Sequence, residues 1–279
     1  KCRLIMNDLL FDLIATQPSP QARFHGGGQY AKNIFLEASI HYSFDCVYNP
    51  SLELDKEIEK RCKEKKIILH KAQQQHQIEE IISRNSYKKF YSAIPYNYSV
   101  LNLGQCHFIM TIHGLRDIEC FFDKTEIFYR EKLIHIFKLI IRNTFFKQRK
   151  KKKSLREIRR LIFGENKTII TDSEHSKHSI LSFFPSIDKD SIKVIYPPYK
   201  PLLKAQDKPE YVVGGDFFLL ISANRPIKNC YRAIQALDEL FSEGKIEEKK
   251  VVVIGAKNMS KLQRIKNSKE FIFLDYLPE

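Results

Sequence analysis

Residues 217–255 read FFLLISANRPIKNCYRAIQALDELFSEGKIEEKKVVVIG. The stretch opens on a short apolar run, FFLLISA (217–223), turns through Pro226 and enters a helical pattern, CYRAIQALDELFSE (230–243). A second apolar run, KKVVVIG (249–255), follows. After MSKLQRIKN (259–267), which also reads as a helix, comes a third run, FIFLDYL (271–277). Short apolar runs separated by turns and amphipathic segments predict buried strands alternating with helices. That order is the signature of a parallel sheet with crossover helices, so the fold class is α/β.

The same alternation recurs upstream. RLIMNDLLFDLI (3–14), FDCVYN (44–49), KIILH (66–70), KKFYSAI (88–94), HFIMTIHG (107–114), KTIITD (167–172) and KVIYPP (193–198) are strand candidates. Between them Tyr30–Ser39, LDKEIEKRCKEK (54–65), QQQHQIEEIISR (73–84) and SEHSKHSILSFF (173–184) read as helices, the last entered through Asp172 or Ser173 as N-cap. From Asp117 to about Lys152 the pattern is helical for many turns, with an apolar side running from Ile118 to Ile141. YKPLLKAQDKPEYVVGGD (199–216) is polar, with Pro and Gly, and predicts a linker between a domain at 1–198 and a second at 217–279. A doubly wound domain usually needs about 100 residues, so the second is expected to be incomplete.

Composition narrows the partners. The net charge of +14 predicts polyanionic company. No apolar run approaches the ~20 residues of a membrane span. Six cysteines are scattered without a CxxC pair, which argues against zinc and for a reduced, cytoplasmic setting.

Four places carry candidate chemistry. FHGGGQYAKNIF (24–35) sets Gly26, Gly27 and Gly28 ahead of the helix. Glycines there predict either a turn or a loop whose backbone approaches a phosphate or sugar. Gly26, Gly28 and Ala31 have the spacing of a dinucleotide fingerprint, yet about ten loop residues separate them from the preceding strand. His113 closes the run MTIHGLRD at a strand's carboxyl end. Arg225, Lys228 and Asn229 lie on the turn into the 230–243 helix, where two cations and free N–H groups can clamp a diphosphate. Lys150, Lys151, Lys152 and Lys153 belong to the polybasic run 147–153, read as a solvated helix face or a membrane-surface contact. No nucleic-acid-binding signature accompanies it, so nucleic acid is not an expected partner.

Together these segments resemble glycosyltransferase family 4, the retaining group-1 class with the GT-B fold. FHGGGQYAKNIF is similar to the family's first glycine-rich loop, and TIHGLRD to its strand-end histidine motif. IITDSEHSKHSILSFF with IKVIYPP, and FFLLISANRPIKNCYRAIQAL, resemble two further family segments. The resemblance implies two Rossmann-type parallel-sheet domains facing across a cleft, the second truncated here. It implies that Gly26–Gly28 line the cleft, that His113 orients the transferred sugar, and that Lys228 holds the leaving diphosphate. Where the family has an arginine five residues before that lysine this chain has Ala223, and Arg225 stands two positions on. The family's HD is His113–Gly114 here.

The implied reaction moves a sugar from a nucleotide-diphosphate sugar to an acceptor hydroxyl, with retention and with neither a metal nor a cofactor. The implied acceptor is a lipid-linked or polysaccharide chain in cell-surface glycan synthesis. The polybasic run adds the expectation of a cytoplasmic enzyme, peripheral on the inner face of an anionic membrane. Two other readings stay open: a catalytically incomplete binding module, and a nucleotide-sugar epimerase or dinucleotide-dependent enzyme.

Overall fold

The computed structural model describes residues 7–18, 26–120, 124–130, 133–197, 215–247, 249–256 and 265–275. In chain order its elements begin with β1 (Leu9–Asp12), α1 (Gly26–His41), β2 (Asp45–Tyr48), α2 (Lys56–Lys65), β3 (Leu69–Lys71) and α3 (Gln75–Asn85). Then follow β4 (Lys89–Ser92), β5 (His107–Ile112), α4 (Arg116–Glu119), α5 (Leu133–Phe145), α6 (Lys147–Ile162), β6 (Lys167–Thr171), α7 (Glu174–Phe183) and β7 (Ile192–Val194). β8 (Phe217–Leu220), α8 (Cys230–Ser242), β9 (Lys250–Ile254) and β10 (Phe271–Leu274) complete the series.

Two compact units result. The first comprises Lys1–Glu119 with Lys152–Tyr199, and the second Cys120–Lys151 with Lys200–Glu279. The second unit therefore takes in a piece from the middle of the chain, not only the residues after the 199–216 segment, most of which lies outside the described residues.

The first unit is built on a seven-stranded sheet in the order β3-β2-β1-β4-β5-β6-β7, every pair parallel. The chain winds outward from β1 to β3, then returns to the other side of β1 with β4. The switch in direction lies between β1 and β4, and ligands in such sheets bind outside the carboxyl ends at that point. Burial on both faces explains the unbroken apolar strands. Leu10, Phe90, Phe108 and Met110 join Ile78, Leu161 and Ile180, from α3, α6 and α7, in one core. Phe11, Cys46 and Tyr91 join Ala31, Phe35, Ile58 and Cys62, from α1 and α2, in a second.

Local chemistry sets the boundaries. Asp55 caps α2 by accepting from the N–H groups of Glu57 and Ile58. Lys66, in left-handed conformation at φ 54°, ends that helix, so the next strand starts at Leu69 rather than Lys66. Ser173, not Asp172, caps α7.

The second unit has a three-stranded parallel sheet in the order β10-β9-β8. α8 covers one face, packing Ile234 and Cys230 with Val251, Val253 and Phe271. On β8 the other face leaves Phe217 and Leu219 exposed, followed by Ile221.

Two expectations need correction. Gly26–Gly28 do not form a loop before a helix beginning at Tyr30, because they are the first turn of α1 itself. The first N–H groups of a helix need no partner four residues back, so the opening turn tolerates glycine better than a helix interior does. The long helical segment 117–152 is broken into α4, a 3-10 stretch at Lys124–Tyr129, α5 and the start of α6. The helix expected at 259–267 lies mostly outside the described residues. The described cysteines, Cys46, Cys62, Cys106, Cys120 and Cys230, are all free thiols.

Candidate functional site

At the carboxyl edge of the large sheet the strands end on polar residues. β1 ends on Asp12, which is buried. One carboxylate oxygen accepts from Ser92 Oγ at 2.6 Å and Tyr98 OH at 3.0 Å, and the other from the Ile14 N–H at 2.9 Å. Burial raises its pKa to about 6, and these donors restrain the rise without cancelling it. The chain leaving β1 is then tied down by buried Gln17, which donates to Asn49 O and accepts from the Asn49 N–H at 2.7 Å.

Two strands further along the sheet, His113 follows β5. Its Nδ1 lies 2.8 Å from Asp172 Oδ2 and its Nε2 3.0 Å from the Ala93 carbonyl. Its N–H donates to Tyr96 OH at 3.0 Å, and that hydroxyl donates to the Gly114 carbonyl at 2.8 Å. Tyr96 thus clamps the turn after β5. Gly114 has φ 136°, a conformation open to glycine and strained for a residue with a side chain. Asp172 Oδ1 accepts from Ser176 Oγ at 3.0 Å and from Ser173 Oγ at 3.2 Å. The result is a connected set in which each polar atom of the His113 ring meets a protein partner.

Tyr30 packs edge-on against the His113 ring, centroids 4.8 Å apart. Tyr30 lies one turn into α1, so the structure brings the helix start at Gly26–Gly28 into the neighbourhood of His113. Gly26 is exposed, and among the described residues a side chain there would meet nothing within 4 Å. Gly28 is buried.

In the second unit the turn after β8 gathers the other predicted residues. Arg225, Lys228 and Asn229 are all exposed on a 3-10 turn, Pro226–Lys228, that leads into α8. Asn229 adopts φ 56° and accepts from Arg232 Nη1 at 2.8 Å. The first turn of α8 is partly engaged by the 124–129 stretch. Tyr129 OH accepts from the Tyr231 N–H at 2.8 Å, and the rings of Phe128 and Tyr231 stack 4.1 Å apart and nearly parallel. The edge is held tight from behind by Gly255, at φ 94°. A Cβ there would stand 3.3 Å from both Ser222 Cα and Ala223 N.

Lys150–Lys153 lie near the start of α6, with Lys150, Lys152 and Lys153 exposed and Lys151 half-buried. A cavity of about 1100 Å³, lined by Glu79, Arg84, Tyr87 and Cys106 among others, opens at the amino ends of β4 and β5. That is the edge opposite to the one where parallel sheets hold ligands. Among the described residues no group of three or more His, Cys, Asp or Glu is placed to hold a metal ion. Nor is any helix among them long and apolar enough to cross a membrane.

Asp12, Tyr96 and Asp172 are the site residues that sequence reasoning missed. A carboxylate interrupting the apolar run LLFDLI was the available signal for Asp12. Asp172 was visible only as a capping candidate. The chain matches no protein-family model, and a search of curated proteins gives no match.

Proposed function

We propose that the protein is a retaining glycosyltransferase that moves a sugar from a nucleotide-diphosphate sugar to an acceptor hydroxyl, as a cytoplasmic enzyme of cell-surface glycan synthesis. The turn after β8 carries this reading. Two exposed cations, Arg225 and Lys228, sit at the carboxyl edge of a parallel sheet beside the start of α8. Negative charge builds on a diphosphate as its bond to the sugar breaks. Fixed cations and helix N–H groups stabilise that charge in the transition state more than in the ground state, which is what lowers a barrier. The reading needs neither a metal nor a cofactor.

The first unit supplies the other half. On this reading His113, held by Asp172 and the Ala93 carbonyl, helps to position the sugar. The first turn of α1 adds backbone groups, and at Gly26 no side chain among the described residues crowds them. The GT-B pairing of two such domains on one donor and one acceptor is part of this proposal.

A second reading has one observation in its favour. Tyr129 already takes the Tyr231 N–H, leaving α8 one donor fewer for a phosphate. A module that binds nucleotide sugars without transferring them fits that arrangement.

Calorimetry of the full chain against a panel of nucleotide-diphosphate sugars, paired with an assay for released nucleoside diphosphate, tests both. Transfer predicts saturable binding and release that both fall in Lys228→Ala. Binding without release selects the module. If no donor binds, both readings fail.

A further inference from the structure

Sugar transfer makes no use of the surface carried by α5. That helix meets the protein along one side, where Leu139 is 4 % exposed. Much of the rest faces outward. Leu133, Ile134, Phe137 and Ile140 are 81, 54, 60 and 51 % exposed. At 100° per residue they fall on one strip of the helix. Phe145 and Phe146, 75 and 47 % exposed, continue the apolar surface at its end. Apolar side chains exposed singly are ordinary, but six from one segment are not.

Charge follows the strip in the chain. From Leu133 to Arg156 the chain holds nine Lys or Arg and no Asp or Glu. Six of those cations occupy residues 147–153, at the start of α6. Lys153 reaches Glu157 at 3.7 Å in an exposed pair, a geometry worth little.

A partner must satisfy both halves. A nucleic acid would neutralise the lysines and leave Phe137 and Leu133 in water. An anionic bilayer offers a plane of negative headgroups over hydrocarbon, which matches cations beside an apolar strip. α5 has 13 residues, about 20 Å of helix, against the ~30 Å of a hydrocarbon core. It can lie in the interface and cannot span it.

We propose that α5 and the start of α6 form a docking surface for anionic lipid. The strip of Leu133, Ile134, Phe137 and Ile140 enters the acyl boundary, and Lys147, Arg149, Lys150 and Lys151, in the same unit, sit among the headgroups. The surface stands apart from the transfer reading, because vesicles free of any sugar donor test it.

The experiment is flotation of the full chain with vesicles of phosphatidylcholine alone or mixed with phosphatidylglycerol. Binding is expected only to the mixed vesicles. It is expected to fall at least about tenfold in the triple variant Lys147→Gln, Arg149→Gln, Lys150→Gln, each charge near the surface being worth roughly fivefold. Phe137→Asp is expected to lower it comparably. Circular dichroism checks that these changes leave the helices intact.

A reporter separates insertion from simple charge attraction. The chain contains no tryptophan, so Phe137→Trp creates a single emitter. Its emission should shift to the blue on mixed vesicles and be quenched by acyl-chain bromine. Equal flotation on both vesicle types overturns the proposal, as does flotation with unmoved tryptophan emission. A chain that dimerises without lipid and becomes monomeric in Phe137→Asp also overturns it, by assigning the strip to a second copy.

Discussion

In the first unit the polar side chains at the carboxyl edge of the sheet are engaged with one another. His113 meets Asp172 and the Ala93 carbonyl, and Asp12 meets Ser92 and Tyr98. In the second unit the cations at the equivalent edge, Arg225 and Lys228, stand exposed. The cores differ in the same sense. Seven strands buried on both faces support the first site, and three strands with one face of β8 uncovered support the second. A site buried in its own hydrogen bonds has its geometry set before a ligand arrives. A site of exposed cations keeps its charge available for an anion that comes from solvent.

The largest effect expected to sharpen this contrast is on stability. Phe35 is fully buried between Phe11 and Phe44, its ring centroid 5.7 and 5.9 Å from theirs. Phe35→Ala should cost about 3–5 kcal/mol, read as a fall in the urea midpoint. A loss under 1 kcal/mol would mean that the first unit is no more tightly packed than the second.

Next comes chemistry. Lys228→Ala should lower kcat/KM for sugar transfer by about 10²–10³, the usual scale for a lost transition-state donor, and leave the melting temperature alone. Equal activity would remove the cation from the site and the contrast with it.

A pH effect of similar or smaller size follows from Asp12, whose pKa burial raises to about 6 from 3.8. The folded chain then binds this proton more tightly than the unfolded one. Its contribution to stability is full below about pH 4, falls as pH rises through 6, and stays lost above. The total is on the order of 3 kcal/mol. Urea titrations across that range should show the slope in the wild type and its absence in Asp12→Asn. Parallel curves for the two proteins would assign the slope to other groups.

The smallest effect concerns the second unit's own seam. Tyr129→Phe removes the hydroxyl that caps α8 and should cost about 0.5–1.5 kcal/mol while keeping the ring packing of its neighbour Phe128. No change in stability would show that water replaces the hydroxyl at no cost, and that the start of α8 is as open as the turn before it.

Much of this architecture is legible in the sequence. Buried parallel strands must be short and apolar, and runs such as FFLL, VVVI and HFIMTI announce themselves. The breaks within 117–152 are not legible, because that stretch contains neither Gly nor Pro. Within it Phe128 and Tyr129 meet Tyr231, a contact that local sequence does not announce. Gly26–Gly28 suggest a loop because glycine is costly inside a helix, a cost that the first turn largely avoids. His113, Arg225 and Lys228 are legible as polar residues at strand ends. Asp172 and Tyr96 acquire meaning only when the fold carries them to His113 from 59 and 17 residues away.

Phe128 and Tyr129 find their partner, Tyr231, about a hundred residues later in the chain. At ribosomal rates of about 5–20 residues per second, roughly 5–20 seconds separate the synthesis of the two sides of that contact. During that interval the middle segment has left the ribosome while the strands and helix it belongs with do not yet exist. Completion of the second unit is therefore a late event in biosynthesis, and the segment's oily helix is exposed to chaperones and membranes before its own unit can form.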